Sequence, residues 1–240
     1  MMKQTADPAV AASQRRFFKP WEKVHVRGIS TPGVRQIARD LHGQIRTTWS
    51  YADAVKFCDI LMRDRYIEGK SLGMELLARY QRHFEAGLAA DAKRWLLANR
   101  CNYWALTDGL CASILSPLLA KFPPLADEFA AWTKSPNLWL RRAGVVTFVK
   151  PARKGAYLDT VYRLAASLAG DQEDLMHKAC GWLLREAGKA DARRLEKFLL
   201  AEGQAFSRTT VRYAIERFPE TRRRKILART LAGNLSRTNS

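Results

Sequence analysis

Helical periodicity runs through nearly the whole of this chain. Apolar residues recur at spacings of three and four, and strand-like alternation is almost absent. The β-branched run Val145-Val146-Thr147-Phe148-Val149 lies inside a longer helical pattern. Breaks fall near Gly28, Thr48, Gly87, Pro117, Pro123, Ser135, Pro151, Gly170, Gly188, Gly203 and Pro219. Between them the pattern predicts helices over 32–45, 51–64, 67–85, 88–98, 102–116, 123–133, 136–150, 154–168, 172–187, 191–201, 207–217 and 219–231. Ser135-Pro136 reads as an N-cap followed by proline at the first helical position, and Thr31-Pro32 as a second case. Pro117 should end or kink its helix, and Gly188 reads as a C-terminal stop.

Short helices joined by short turns pack as helical hairpins. Stacked hairpins give an all-α fold, an α-solenoid of degenerate HEAT-like repeats with a basic concave face. The repeats are degenerate because no strict period stands out; a non-repeating bundle is the structural alternative. The expected organisation is an N-terminal extension (1–20), a single repeat domain (21–232) and a C-terminal tail (233–240).

The composition says what such a fold could meet. Hydrophobic residues make up 47% of the 240, enough for a core, which excludes wholesale disorder. No apolar run is long enough to cross a bilayer, and Met1 to Arg16 lacks a basic-then-apolar signal pattern, which points to the cytoplasm. Cys58, Cys101, Cys111 and Cys180 show no Cys-x-x-Cys spacing and read as buried thiols in helices. His25, His42, His83 and His177 form no i,i+4 pair, so neither a metal nor a cofactor is expected. Lys and Arg number 41 against 23 Asp and Glu, a net charge of +18. From Asp191 to Ser240 the balance is twelve cations to five acids. Charge of this size favours a polyanion, with nucleic acid first.

Three helices carry residues that their faces do not explain. On 102–116, Asp108 shares a face with Trp104, Cys111, Ala112 and Leu115. A carboxylate there is partly desolvated and needs a partner or a task. On 136–150, Arg142 lies with Leu138, Val145, Val146 and Val149, while Arg141 points about 100° away. A guanidinium on an apolar stripe wants a carboxylate or a phosphate; an Arg142–Asp108 ion pair would account for both residues without function. Lys150 lies one turn beyond Val146, where it could meet phosphate. On 172–187 the core stripe is Met176, Ala179, Cys180, Leu183, Leu184 and Ala187. Trp182 lies off it, beside Lys178 and Arg185, with Lys189 just past the end. Cations and an indole on one face suit DNA, and equally suit an indole filling a groove under lysine stems. An indole favours a cationic ligand, and a carboxylate stabilises positive charge developing during bond cleavage.

The segments Asn102-Tyr103-Trp104-Ala105-Leu106-Thr107-Asp108, Leu138-Trp139-Leu140-Arg141-Arg142-Ala143 and Lys178-Ala179-Cys180-Gly181-Trp182-Leu183-Leu184-Arg185-Glu186 resemble the AlkD-like DNA alkylation repair glycosylases. Gly28-Ile29-Ser30-Thr31-Pro32 is a weaker match. The likeness spans about residues 20–230. It implies a HEAT-like solenoid that holds duplex DNA on a basic concave surface; nothing in the sequence demands a dimer, so a monomer is the default expectation. It implies a monofunctional glycosylase that removes cationic alkylated purines such as 3-methyladenine and 7-methylguanine, without a deep base pocket. By position, the family's catalytic acid falls on Asp108, its lesion-facing indoles on Trp104 and Trp182, its DNA-contacting arginine on Arg142 and a further phosphate contact on Lys150. Lys178, Arg185 and Lys189 are additional candidate phosphate ligands. One departure stands out. The family's N-terminal tyrosine has no counterpart in Arg16-Phe17-Phe18-Lys19-Pro20-Trp21, where Phe17, Phe18 or Trp21 would have to replace it. The rival readings are a non-catalytic binder of branched or bent DNA on the same surface, and a protein-scaffolding solenoid.

Overall fold

The computed structural model describes residues 6–20 and 22–231. Trp21 and the tail 233–240 lie outside the described residues. The described residues hold helices and no named strand, and the fold is the all-α helical-repeat fold expected. The chain divides into two compact units, Met1–Lys121 and Phe122–Ser240.

The first unit contains α1 (Pro8–Arg15), α2 (Thr31–Ile45), α3 (Tyr51–Leu61), α4 (Ile67–Leu77, continued as a 3₁₀ turn over Ala78–His83), α5 (Leu88–Leu97), α6 (Trp104–Leu110) and α7 (Ser116–Lys121). Helix α3 pairs with α4, and α4 in turn packs on α2 and α6. Contact between chain neighbours and between next-but-one helices is the pattern of stacked hairpins. Ser50 and Asp53 close a capping box on α3. The cap of α2 falls on Ser30, one residue before the expected Thr31, with the Ser30 hydroxyl accepting from Gly33 N.

Pro117 does not end its helix. After α6 the chain widens into a π turn over Cys111–Leu115, in which Ser116 N–H reaches back to the Cys111 carbonyl. The wider turn moves carbonyls off the usual i−4 register, and Pro117 enters the first turn of α7, where a missing N–H costs little.

The second unit contains α8 (Leu125–Trp132), α9 (Leu138–Val146), α10 (Val149–Arg153), α11 (Leu158–Ser167), α12 (Asp174–Ala190), α13 (Ala192–Glu202), α14 (Arg208–Ala214) and α15 (Glu220–Arg229). Helix α12 is its hub and packs on α9, α10, α11, α13 and α14. The expected helix 136–150 is two helices, broken at Thr147 and Phe148, so Lys150 belongs to α10 rather than to the helix of Arg142. The cap of α9 is Asn137, whose side-chain oxygen accepts from Trp139 N and Leu140 N at 3.0 and 3.1 Å, and not Ser135. Asn137 wins because one amide oxygen satisfies two orphan N–H groups of the first turn.

Gly188 is not a stop either. Helix α12 runs through it to Ala190, and a Cβ at Gly188 would come within 2.3 Å of Leu195 Cδ2. Here the glycine lets α13 approach; it does not supply a left-handed cap.

Candidate nucleic-acid interface

In the first unit the candidate residues sit on α6. Leu106, Thr107 and Leu110 are buried, and the Thr107 hydroxyl donates to the Cys101 carbonyl at 2.8 Å. This anchors the start of the helix. Trp104 and Asp108, one turn apart, are both half-buried. The fold therefore keeps the indole and the carboxylate on one face of α6 and does not sink either into the core.

The N-terminal stretch reaches this face. Asp7 caps α1, and its N–H donates to the Gly28 carbonyl at 3.0 Å. The side chain of Gln14 donates to the Ile29 carbonyl at 2.8 Å. Gly28 has φ +84°, and a Cβ there would lie 2.1 Å from the Asp7 carbonyl oxygen, so both backbone shape and close approach require glycine. Buried Glu68 fixes the loop from the other side. Its Oε1 accepts from the backbone N–H groups of Arg27, Gly28 and Ile29 at 2.8, 3.0 and 3.3 Å. The chain that leaves α1 brings the Phe18 ring to 6.1 Å from Trp104, tilted 33°, and to 5.7 Å from Tyr103, edge-on. Tyr103 in turn donates its hydroxyl to the Lys23 carbonyl at 2.6 Å. Of the three aromatics offered in place of the family tyrosine, Phe18 is the one that meets a candidate lesion contact. Phe17 is 70% exposed, and Trp21 is outside the described residues.

In the second unit the two adjacent arginines part as the wheel predicts. Arg141 ties down the loop before α9, donating to Asp171 at 3.1 Å and to the carbonyls of Ser135 and Pro136 at 3.0 and 2.9 Å. Arg142 is buried and donates to the Leu175 carbonyl in the first turn of α12 at 2.5 Å. It also lies close enough to oppose protonation of Lys178, whose ammonium is nonetheless held above its usual range, chiefly by its hydrogen bond to Asp174. Lys150 is exposed on α10.

The open face of α12 carries half-buried Trp182 and three cations, and each cation has a carboxylate. Lys178 pairs with Asp174 at 2.7 Å, Arg185 pairs with Glu216, and Lys189 holds both oxygens of buried Glu186 at 2.7 Å. A phosphate would have to compete for each of them.

Sequence reasoning missed Tyr213. It is 37% exposed on α14, and a Cβ added at Gly181 of α12 would lie 2.4 Å from its Cβ and 2.8 Å from the Thr210 carbonyl. The backbones of α12 and α14 meet at Gly181, which sets Tyr213 beside the face of Lys178 and Trp182. A glycine in the interior of an amphipathic helix was the available signal, since it weakens the helix unless packing requires it.

All four cysteines are buried, as expected, although Cys101 lies in the turn before α6. Burial pushes the thiols of Cys101 and Cys180 up to about 12, so they remain unreactive thiols.

In a comparison with known families, the family model of DNA alkylation repair enzymes matches residues 1–218. The chain belongs to that family. Among solved structures it is similar to a protein described as a predicted DNA alkylation repair enzyme from Enterococcus faecalis. The TM-score is 0.78 at 16% identity, covering 90% of this chain and 98% of that one. At that identity the likeness speaks for the fold alone. No curated protein matches the chain.

Proposed function

We propose that this protein is a monofunctional DNA glycosylase acting on cationic alkylated purines in duplex DNA, with 3-methyladenine and 7-methylguanine as the substrate class. The observation that carries the reading is the placement of Asp108 one turn after Trp104 on one half-buried face of α6, in a member of the DNA alkylation repair enzyme family.

An alkylated purine already bears positive charge, so its glycosidic bond is weakened. As the C1′–N bond breaks, its electron pair goes to the base, which leaves neutral, and positive charge passes to the sugar. The Asp108 carboxylate stabilises that oxocarbenium-like sugar and orients a water for attack at C1′; the water's proton passes to the carboxylate and on to solvent. Trp104, backed by Phe18, packs against the deoxyribose through its electron-rich face, and Trp182 serves the cationic surroundings of the lesion. Exposed Lys150 contacts phosphate, and Arg142 does so by turning from the Leu175 carbonyl. Lys178, Arg185 and Lys189 contribute by exchanging a carboxylate for a phosphate. No lysine is assigned as a Schiff-base nucleophile, so strand cleavage is not expected.

The test is incubation of a duplex containing 7-methylguanine with the purified chain, followed by mass spectrometry of the released base. The reading predicts free 7-methylguanine and an intact strand bearing an abasic site. DNA binding with no release above the spontaneous rate would favour the non-catalytic DNA binder instead.

A further inference from the structure

The second unit has another exposed feature, away from the candidate DNA face. At about 100° per residue, Lys178, Trp182 and Lys189 follow one line of α12, while buried Met176, Leu183 and Ala187 lie on its far side. Helices α11 and α13 also pack on α12, and between them runs a shallow groove of about 880 Å³. Its floor includes Ala166, Phe198 and Ala201, and its rim Arg163, Arg193 and Lys197.

Three observations limit what the groove can hold. First, cations outnumber acids in its lining: Arg163, Arg193, Arg194 and Lys197 stand against Asp191, whose carboxylate caps α13, and Glu202. Unlike the cations on the open face of α12, Arg163, Arg193 and Lys197 have no ion pair among the described residues, and all three are exposed. Second, the floor is apolar, with small side chains at Ala166 and Ala201 that allow a helix to approach closely. Third, the rings at the groove are engaged with one another and with a cation. The Arg194 guanidinium lies 4.6 Å over the Tyr162 ring, and the Phe198 ring sits between Tyr162 at 4.8 Å and Phe206 at 5.8 Å. A nucleic acid strand uses cations together with exposed aromatic platforms; here the rings are engaged with one another, and Asp191 and Glu202 in the lining would repel a phosphate backbone. Arg193 and Lys197 stand one turn apart, about 6 Å along α13, which matches carboxylates spaced i,i+4 on a facing helix.

We infer that the α11–α13 groove docks an acidic amphipathic helix of a partner protein, laying its apolar face on Ala166, Phe198 and Ala201 and its carboxylates against Arg163, Arg193 and Lys197. This does not depend on the glycosylase reading. The groove shares no side chain with the candidate site.

Fluorescence anisotropy on the full chain tests it. The probes are a labelled model helix of about 18 residues with a leucine stripe flanked by glutamates, a scrambled peptide of the same composition, and an oligothymidine strand of similar length. Two variants separate charge from shape: Arg193→Glu with Lys197→Glu, and Ala166→Trp, which fills the floor. Both change exposed positions, and circular dichroism checks the fold. The expected result is tighter binding of the patterned than of the scrambled peptide, and a loss of about tenfold or more in each variant. Equal binding of the two peptides, patterned-peptide affinity unchanged in either variant, or a loss confined to oligothymidine would overturn the inference.

Discussion

Helices α6 and α12 each carry a candidate site residue next to a glycine, yet the two glycines differ. Gly109 follows Asp108, and a Cβ there would meet only Met74 Cε at 3.7 Å. Gly181 precedes Trp182, and a Cβ there would collide with Tyr213 Cβ at 2.4 Å and the Thr210 carbonyl at 2.8 Å. The surroundings of the polar groups differ in the same sense. On α12 the cations are held by Asp174, Glu186 and Glu216, and a second helix is pressed against the face. On α6 the face is covered by an aromatic cluster, in which Phe18 is delivered by a separate N-terminal helix. The difference teaches that one kind of functional residue can rest on two kinds of support: backbone contact in α12, and a removable side-chain buttress in α6.

Substitutions can break that contrast. The largest effect is expected from Gly181→Val, which must drive α14 away from α12; a loss of about 3 kcal/mol in denaturant-derived stability is predicted. An unchanged unfolding midpoint would mean that the two backbones do not meet there. Next comes Phe18→Ala. Removing one ring of the cluster should cost about 1 kcal/mol of stability and lower the rate of base release more than it lowers DNA affinity. A rate equal to that of the parent would reduce Phe18 to packing alone. A smaller effect is expected from Glu216→Gln, which leaves Arg185 only its pairing with Glu186 at 3.4 Å. Duplex affinity at low salt should rise by roughly two- to fivefold, with a steeper salt dependence. No change in either would show that Arg185 takes no part in binding DNA. The smallest is Gly109→Ala, where open space and helix propensity predict a gain of about 0.5 kcal/mol; a loss of more than about 1 kcal/mol would contradict the room seen beside Gly109.

Much of the fold was legible because α2, α3 and α13 combine apolar periodicity with Ser or Asp caps at their starts. At Pro117 and Gly188 the departures share one physical cause: a residue that reads as punctuation is given other work by packing. Pro117 is absorbed by a π turn, which no periodicity announces. Gly188 serves Leu195 on the next helix, a contact between residues whose adjacency only the folded chain defines. At the candidate site, the split between Arg141 and Arg142 followed from helix geometry alone. Of the carboxylates, Asp174 four residues before Lys178 and Glu186 three before Lys189 were readable, but Glu216 reaches Arg185 from the turn after α14. Phe18 could be named as one of three aromatics. Choosing it required the Asp7–Gly28 and Gln14–Ile29 hydrogen bonds that set the path of the N-terminal chain.

The central claim is that the side chain of Asp108 carries the chemistry. Single-turnover release of 7-methylguanine from duplex DNA, with parent and Asp108→Asn each at saturating protein, tests it without interference from binding. A fall of about 10²–10³ in rate with unchanged DNA affinity is the predicted result. Equal rates in the two proteins would remove the carboxylate, and with it the proposed mechanism.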